Sequence, residues 1–188
     1  DLVIGGGSPT YTYAWTGPNG FTSTNQNLTN LAAGQYDVVV TDANGCTINS
    51  SITLTAPTAL TENVSAFTYP SGDNISCNGL SDGSINLAIG GGSPNYTYVW
   101  TGPNGFTSNN QNLTDLAAGQ YDVVVTDENG CTISSSITLT EPSPLTENIS
   151  AFTYPSGDNI SCNGLSDGSI DLVIGGGSPT YTYAWTGP

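Results

Sequence analysis

The side chains able to do chemistry in this sequence are few and nearly of one kind. There are 15 carboxylates and 4 cysteines, and no Lys, Arg or His. A serine or threonine nucleophile therefore has no ordinary base beside it. Paired carboxylates can work as the acid and base of a glycosidase, but the acids here sit next to Gly and Asn in turn-like strings. The expectation is a chain with no catalytic residues. Carboxylates and backbone carbonyls are also the ligands of calcium. The acids best placed for that are Asp73, Asp82 and Asp127, with Asp158, Asp167 and Asp42 as their repeat mates. No Asp-x-Asp-x-Asp loop is present, and an Asp at the head of a turn serves equally well to accept backbone N–H groups. That second role is the one expected for Asp127. Calcium stays as the alternative, and no other cofactor is expected.

The missing cations exclude whole classes of partner. Nucleic-acid binding requires cationic neutralisation of phosphates, and attraction to an anionic membrane surface requires the same charges. Neither is possible at a net charge of −15. Lys–Asn isopeptide cross-links are excluded with Lys. No run of 18 apolar residues exists, so no helix inserted in a membrane is expected. The spread of like charge fits an exposed, soluble surface.

The elements that must position these groups read as strands. Ile85, Leu87 and Ile89 alternate along one segment, and Tyr96, Tyr98 and Trp100 along the next. Tyr121, Val123 and Val125 alternate along a third, and Cys131, Ile133, Ile137 and Leu139 share one face of a fourth. Period-2 patterns of this kind mark half-buried strands. They are separated by turn strings: Gly90-Gly91-Gly92-Ser93-Pro94, Gly102-Pro103-Asn104-Gly105 and Asn129-Gly130. The Asn-Gly pair predicts a hairpin with positive φ at both residues. The Tyr96, Tyr98, Trp100 stripe offers a sugar-stacking surface in principle, but at strand spacing it is expected to face the core. The fold class is all-β.

The pattern repeats every 85 residues. Residues 1–18 recur without change as 171–188, and residues 1–85 match 86–170 at all but 12 positions. That period is too long for a solenoid unit and close to a small sandwich domain. Pro57, Pro142 and Pro144 sit in breaks between strand-rich stretches, where proline suits a stiff linker better than a central strand. The expected division is 1–57 as the back part of one repeat, 58–142 as a complete repeat, and 143–188 as the front part of the next. An inward Trp on the third strand resembles immunoglobulin-like sandwiches. So does Leu116-Ala117-Ala118-Gly119-Gln120-Tyr121, where the Tyr hydroxyl can bond back to the preceding loop. Trp15, Trp100, Trp185, Tyr36 and Tyr121 are the expected core anchors. The architecture expected is tandem immunoglobulin-like β-sandwiches, end to end.

A more specific likeness runs through each period. Cys77-Asn78-Gly79, then Asp82-Gly83, Gly91-Gly92, Tyr96-Thr97-Tyr98-Val99-Trp100, Leu116 to Tyr121, and Val125-Thr126-Asp127-Glu128-Asn129-Gly130-Cys131 occur in that order. Together they resemble the SprB repeat of Bacteroidetes surface adhesins. The resemblance implies an extracellular protein of the bacterial surface, exported by a type 9 secretion system and tied to the gliding machinery, with no catalytic residues. The function expected is the structural shaft of a large repetitive adhesin for attachment and gliding. Its partners would be neighbouring repeats of the same chain and an external surface or polysaccharide. A carbohydrate- or calcium-binding module of a secreted protein is the alternative.

An extracellular setting favours disulfides. In such sandwiches the first-strand segment runs beside the last strand. With Cys77 read as opening the former and Cys131 the latter, a Cys77–Cys131 bridge is expected within the complete repeat, leaving Cys46 and Cys162 to pair outside this chain. With no His and no CxxC, zinc is not expected.

Overall fold

The computed structural model describes residues 2–187, and its regular structure is strands joined by turns. It divides into two units, residues 1–58 and 59–188. In the first unit, β1 (Thr12–Thr16), β2 (Thr22–Ser23), β3 (Gly34–Thr41) and β4 (Thr47–Leu54) form one antiparallel sheet of order β2-β1-β3-β4. Trp15, Tyr36, Val38 and Val40 are buried on one face of it. They are the alternate residues of β1 and β3, as the period of 2 demands.

The second unit opens with the same sheet preceded by another. β5 (Thr61–Ala66), β6 (Gly83–Gly90) and β9 (Leu113–Leu116) make a three-stranded sheet of order β5-β6-β9. β7 (Thr97–Thr101), β8 (Thr107–Ser108), β10 (Gly119–Thr126) and β11 (Thr132–Leu139) make a four-stranded sheet of order β11-β10-β7-β8. Ladder partners on β10 set the core layer: Val123 lies opposite Trp100, and Val125 opposite Tyr98. The inner faces meet in one cluster that includes Ile85 and Leu87 from the first sheet and Trp100, Tyr121, Val123 and Leu139 from the second. Two antiparallel sheets closed over an apolar layer are a β-sandwich. Burying each large apolar side chain there contributes about 1.5–3 kcal/mol. The unit ends with a two-stranded ribbon, β12 (Thr146–Ala151) and β13 (Ile170–Gly175).

Two turns differ in detail from expectation or explain a fixed residue. At the β10–β11 hairpin the Gly130 N–H donates to the Asp127 carbonyl (3.0 Å) and the Asp127 N–H to the Cys131 carbonyl (2.9 Å). Gly130 takes φ +84°, whereas Asn129 is not among the residues at positive φ. The hairpin is therefore longer than the two-residue type the Asn-Gly pair suggested, because Asp127 starts the turn. Gly119 opens β10 at φ +137°, and a Cβ there would lie 2.4 Å from Pro103 Cγ. Only glycine fits against that proline.

Candidate functional site

The carboxylates act as clasps on the ends of the sandwich. Asp127 is buried. Its Oδ2 accepts the Ser93 N–H at 3.0 Å, and its Oδ1 accepts those of Asn129 (3.0 Å) and Cys131 (2.8 Å). Asn129 adds a side-chain bond to Ser93 Oγ at 2.7 Å. One carboxylate thus ties the β6–β7 loop to the β10–β11 hairpin. The Ser93 N–H first, with those of Cys131 and Asn129, holds the Asp127 carboxyl below its usual range, against the opposing effect of burial. Asp42 does the same in the first unit, where the Ser8 and Cys46 N–H groups lower it.

Asp82 works at the other end. It accepts the Ser76 hydroxyl, the Ser76 N–H (3.1 Å) and the Tyr69 hydroxyl (3.2 Å). The Ser76 hydroxyl, then its N–H, lowers the Asp82 carboxyl. Asp167 repeats this with Ser161 and Tyr154. Asp73 lies in the same loop, where its carbonyl accepts the Tyr69 N–H at 2.8 Å. Among the described residues no three Asp, Glu or Cys side chains converge as a metal site would require. Asp82 and Asp127 spend their oxygens on protein donors.

The loop between β5 and β6, residues 67–82, turns out to be structural. Ile75 is fully buried in the core. The Asn74 and Ile75 N–H groups both donate to the Thr140 carbonyl at 3.0 Å, and the Thr140 N–H returns to Asn74 Oδ1 at 3.0 Å. Asn78 Nδ2 donates to Glu141 Oε1 (3.0 Å) and to the Pro142 carbonyl (3.1 Å), and the Gly79 N–H to Glu141 Oε2 (2.7 Å). Beyond Pro142, the Ser143 carbonyl accepts the Gly177 N–H at 2.8 Å. The Pro-containing connection is thereby held from both sides. Cys77 lines a cleft here with Ser143, Pro144, Tyr181 and Tyr183.

This arrangement corrects the expected Cys77–Cys131 bridge. Both residues are exposed free thiols, as are Cys46 and Cys162. Cys131 precedes the first residue of β11, whereas the Cys77 loop packs on Thr140 and Glu141 just past its end. Eight strand residues separate the two, about 26 Å at the usual rise, far beyond the reach of a disulfide. The error lay in reading Cys77 as the opening of a strand: β6 begins only at Gly83, and the loop before it folds to the opposite end of the sandwich.

The aromatic anchors divide by how much of a repeat surrounds them. Trp100 is 0% exposed and Trp15 9%, while Trp185 is 58% exposed. Trp100 Nε1 donates to the Asn110 carbonyl (2.9 Å), as Trp15 does to Asn25 (3.0 Å). Tyr121 and Tyr36 are buried, with hydroxyls donating to the Ala117 and Ala32 carbonyls, each at 3.0 Å. Tyr96 and Tyr98 pack against the core beside Trp100, so the stripe is not presented as a flat ligand platform. Sequence reading missed Ile75, Asn74, Asn112 and Glu141. Asn112 Oδ1 accepts the Leu87 N–H at 3.0 Å, and Gln111 Nε2 donates to the Leu87 carbonyl at 2.7 Å. Their signal was recurrence alone: the strings around Asn74 and Asn112 reappear almost unchanged at the repeat offset.

No curated protein matches the chain. The family model for the SprB repeat matches residues 72–105 and 157–188, which open with the loop that reaches the linker and run through the inner tryptophan strand. The two matches fall on successive copies of the same segment, so the chain is similar to the SprB repeat at both.

Proposed function

We propose that this chain is part of the structural shaft of a large bacterial surface adhesin, serving attachment and gliding by holding an adhesive end away from the cell, and that it catalyses nothing. The observation that carries the reading is the held connection between repeats. Asn78 and Gly79 grip Glu141 and Pro142, and the Ser143 carbonyl is bonded to the N–H of Gly177, two residues past β13. Such bonds resist bending where an ordinary linker would flex. The SprB repeat supports a place at the cell surface, and the uniform negative charge supports an exposed fibre that does not clump. Carboxylates spent on backbone N–H groups, and aromatics spent on the core, fit a spacer better than a receptor. Export by a type 9 system and a link to the gliding motor are part of the same proposal.

The test is binding by the whole chain. A glycan array and thermal melting with and without calcium should both be silent for a spacer. Specific capture of a glycan, or a calcium-dependent rise in melting temperature, would replace the shaft by a ligand-binding module.

A further inference from the structure

Residues 77–80 form the tight turn that grips Glu141 and Pro142. The Leu80 N–H donates to the Cys77 carbonyl at 3.2 Å. Gly79 takes φ +78°, while Asn78 is not among the residues at positive φ. That is a type II turn, which favours glycine at its third position. A Cβ at Gly79 would meet nothing within 4 Å, so φ alone calls for glycine there. The grip calls for a two-hydrogen donor just before it. Asn78 Nδ2 donates to Glu141 Oε1 (3.0 Å) and to the Pro142 carbonyl (3.1 Å), as a side-chain amide can. The Gly79 N–H completes the grip on Glu141 Oε2 at 2.7 Å. Turn and grip together are met by Asn followed by Gly. The same dipeptide is chemically exposed, because glycine puts no side chain in the way of its own nitrogen.

We infer that Asn78 is a modification site guarded by Glu141: it converts to aspartate or isoaspartate when the grip opens, and the conversion bars the grip from forming again. In that reaction the Gly79 nitrogen attacks Asn78 Cγ. An N–C bond forms, the Cγ–Nδ2 bond breaks, and the amide nitrogen leaves as ammonia with the proton that Gly79 gives up. Water then opens the five-membered imide at either carbonyl. Water is the only co-reactant, and nothing is oxidised or reduced.

Three features hold the reaction off while the grip is closed. The Gly79 N–H is committed to the Glu141 carboxylate. The leaving nitrogen, Asn78 Nδ2, is fixed by two acceptors. The turn sets the Asn78 ψ at about +120°, the type II value, whereas ring closure needs a ψ of opposite sign to bring the Gly79 nitrogen round to Cγ. Chemistry therefore proceeds from the opened state, and local openings cost less than global unfolding.

The product undoes the grip in two ways. A carboxylate in place of the amide has no hydrogen to donate, and it faces Glu141 at hydrogen-bond distance, where like charges repel. No Lys, Arg or His exists to neutralise the pair. The iso form also adds a methylene to the main chain and carries the Gly79 N–H away from Glu141. Each opening that runs to ring closure is thus recorded permanently at the end of the repeat. This goes beyond the shaft reading and rests on the turn and its bonds alone.

The test is peptide-mapping mass spectrometry of the full chain held at mildly alkaline pH in reductant. The readouts are the mass gain from amide to acid and the chromatographic split of the two isomers. A synthetic peptide of residues 74–82 sets the unguarded rate. Asn78 in the chain should convert severalfold more slowly than in the peptide. That comparison uses wild type alone, so it stands whether or not a variant folds. Glu141→Ala should bring Asn78 close to the peptide's rate, while the exposed pair Asn104-Gly105 keeps its own. Asn78→Asp should speed exchange of the Gly79 N–H with solvent. Equal rates in chain and peptide, no acceleration in Glu141→Ala, an acceleration that Asn104 shares, or unchanged exchange in Asn78→Asp would each overturn the inference. None of these outcomes bears on the glycan and calcium tests of the shaft.

Discussion

β3–β4 and β10–β11 are nearly the same sequence in two surroundings. Gly34–Thr41 and Gly119–Thr126 are identical strings, and in both the Tyr and the alternate valines are buried. The following strands then part company. Ile133 and Ile137 are half-buried beside the core, whereas their counterparts Ile48 and Ile52 are exposed. What differs is β5, which lies against β11 and has no counterpart in the first unit. Alternation therefore makes a sheet wherever the residues occur, but the second layer is delivered by a segment distant in sequence. In the second unit the four-stranded sheet and the segments that cover it are written in different parts of the sequence.

The largest effect that tests this division is at the inner tryptophan. Trp100→Ala should cost about 3–5 kcal/mol of the complete repeat's stability, the range for emptying a large aromatic site. Trp185→Ala, at a position 58% exposed, should change stability by less than about 0.5 kcal/mol. Chemical denaturation of both variants checks the pair. Equal losses would mean that the third copy of the segment is packed as well as the second.

Next in size is Ile75, the plug of the core. Ile75→Ala removes a fully buried side chain and should cost about 2–4 kcal/mol. Ile160→Ala should cost almost nothing. Melting curves of the two would show whether the cover stabilises only where a sheet lies beneath it. A smaller change comes from Tyr121→Phe, which deletes the bond to the Ala117 carbonyl and leaves the ring in place. That should cost about 1 kcal/mol, the usual net value of one hydrogen bond. The same change at Tyr36 should match it, since that bond has the same length. A clear difference between them would show that the cover also tightens the β9–β10 corner.

Legibility in the sequence follows the same division. β6, β7, β10 and β11 announce themselves by alternation, and their turns by Gly, Pro and Asn. β5 does not: Thr61–Ala66 carries Glu62 on the same side as Val64 and Ala66, which blurs the pattern. β9 is four residues long and holds Asp115 at φ +59°, too short and too strained for a periodicity argument. Ile75 is a single apolar residue inside Gly72-Asp73-Asn74-Ile75-Ser76, and nothing local shows that it is a plug. Of the site, the Asp127 clasp was readable because an acid at a turn head has a local purpose. The Asn78–Glu141 grip spans 63 residues and left no local mark. The cysteine pairing failed for the same reason, since it needed the path of the loop before β6.

The last effect is a pH dependence that is flat at neutral pH and appears as a decline only in acid. Asp127 and Asp42 are the same clasp in the two units, and both carboxyls are held below their ordinary value by backbone N–H groups, chiefly those of Ser93 and Ser8. A carboxyl lowered in the folded state stabilises fully above its unfolded value, about 3.9 for Asp. That contribution drains away as pH falls through the folded value, because the unfolded chain then binds the proton more readily. Melting temperature should therefore decline from about pH 4 downward, and Asp127→Asn should flatten that limb for the complete repeat. The amide oxygen can still accept the Asn129 and Cys131 N–H groups that Oδ1 now takes, the Ser93 bond is lost, and the side chain titrates nowhere in the range. Asp42→Asn should flatten the limb of the first unit alone, since each clasp joins loops within its own unit. An acid limb as steep in Asp127→Asn as in wild type would move the origin of acid sensitivity to Asp82 and Asp167. Those two are lowered mainly by the Ser76 and Ser161 hydroxyls, at the end of the repeat where the cover meets the linker.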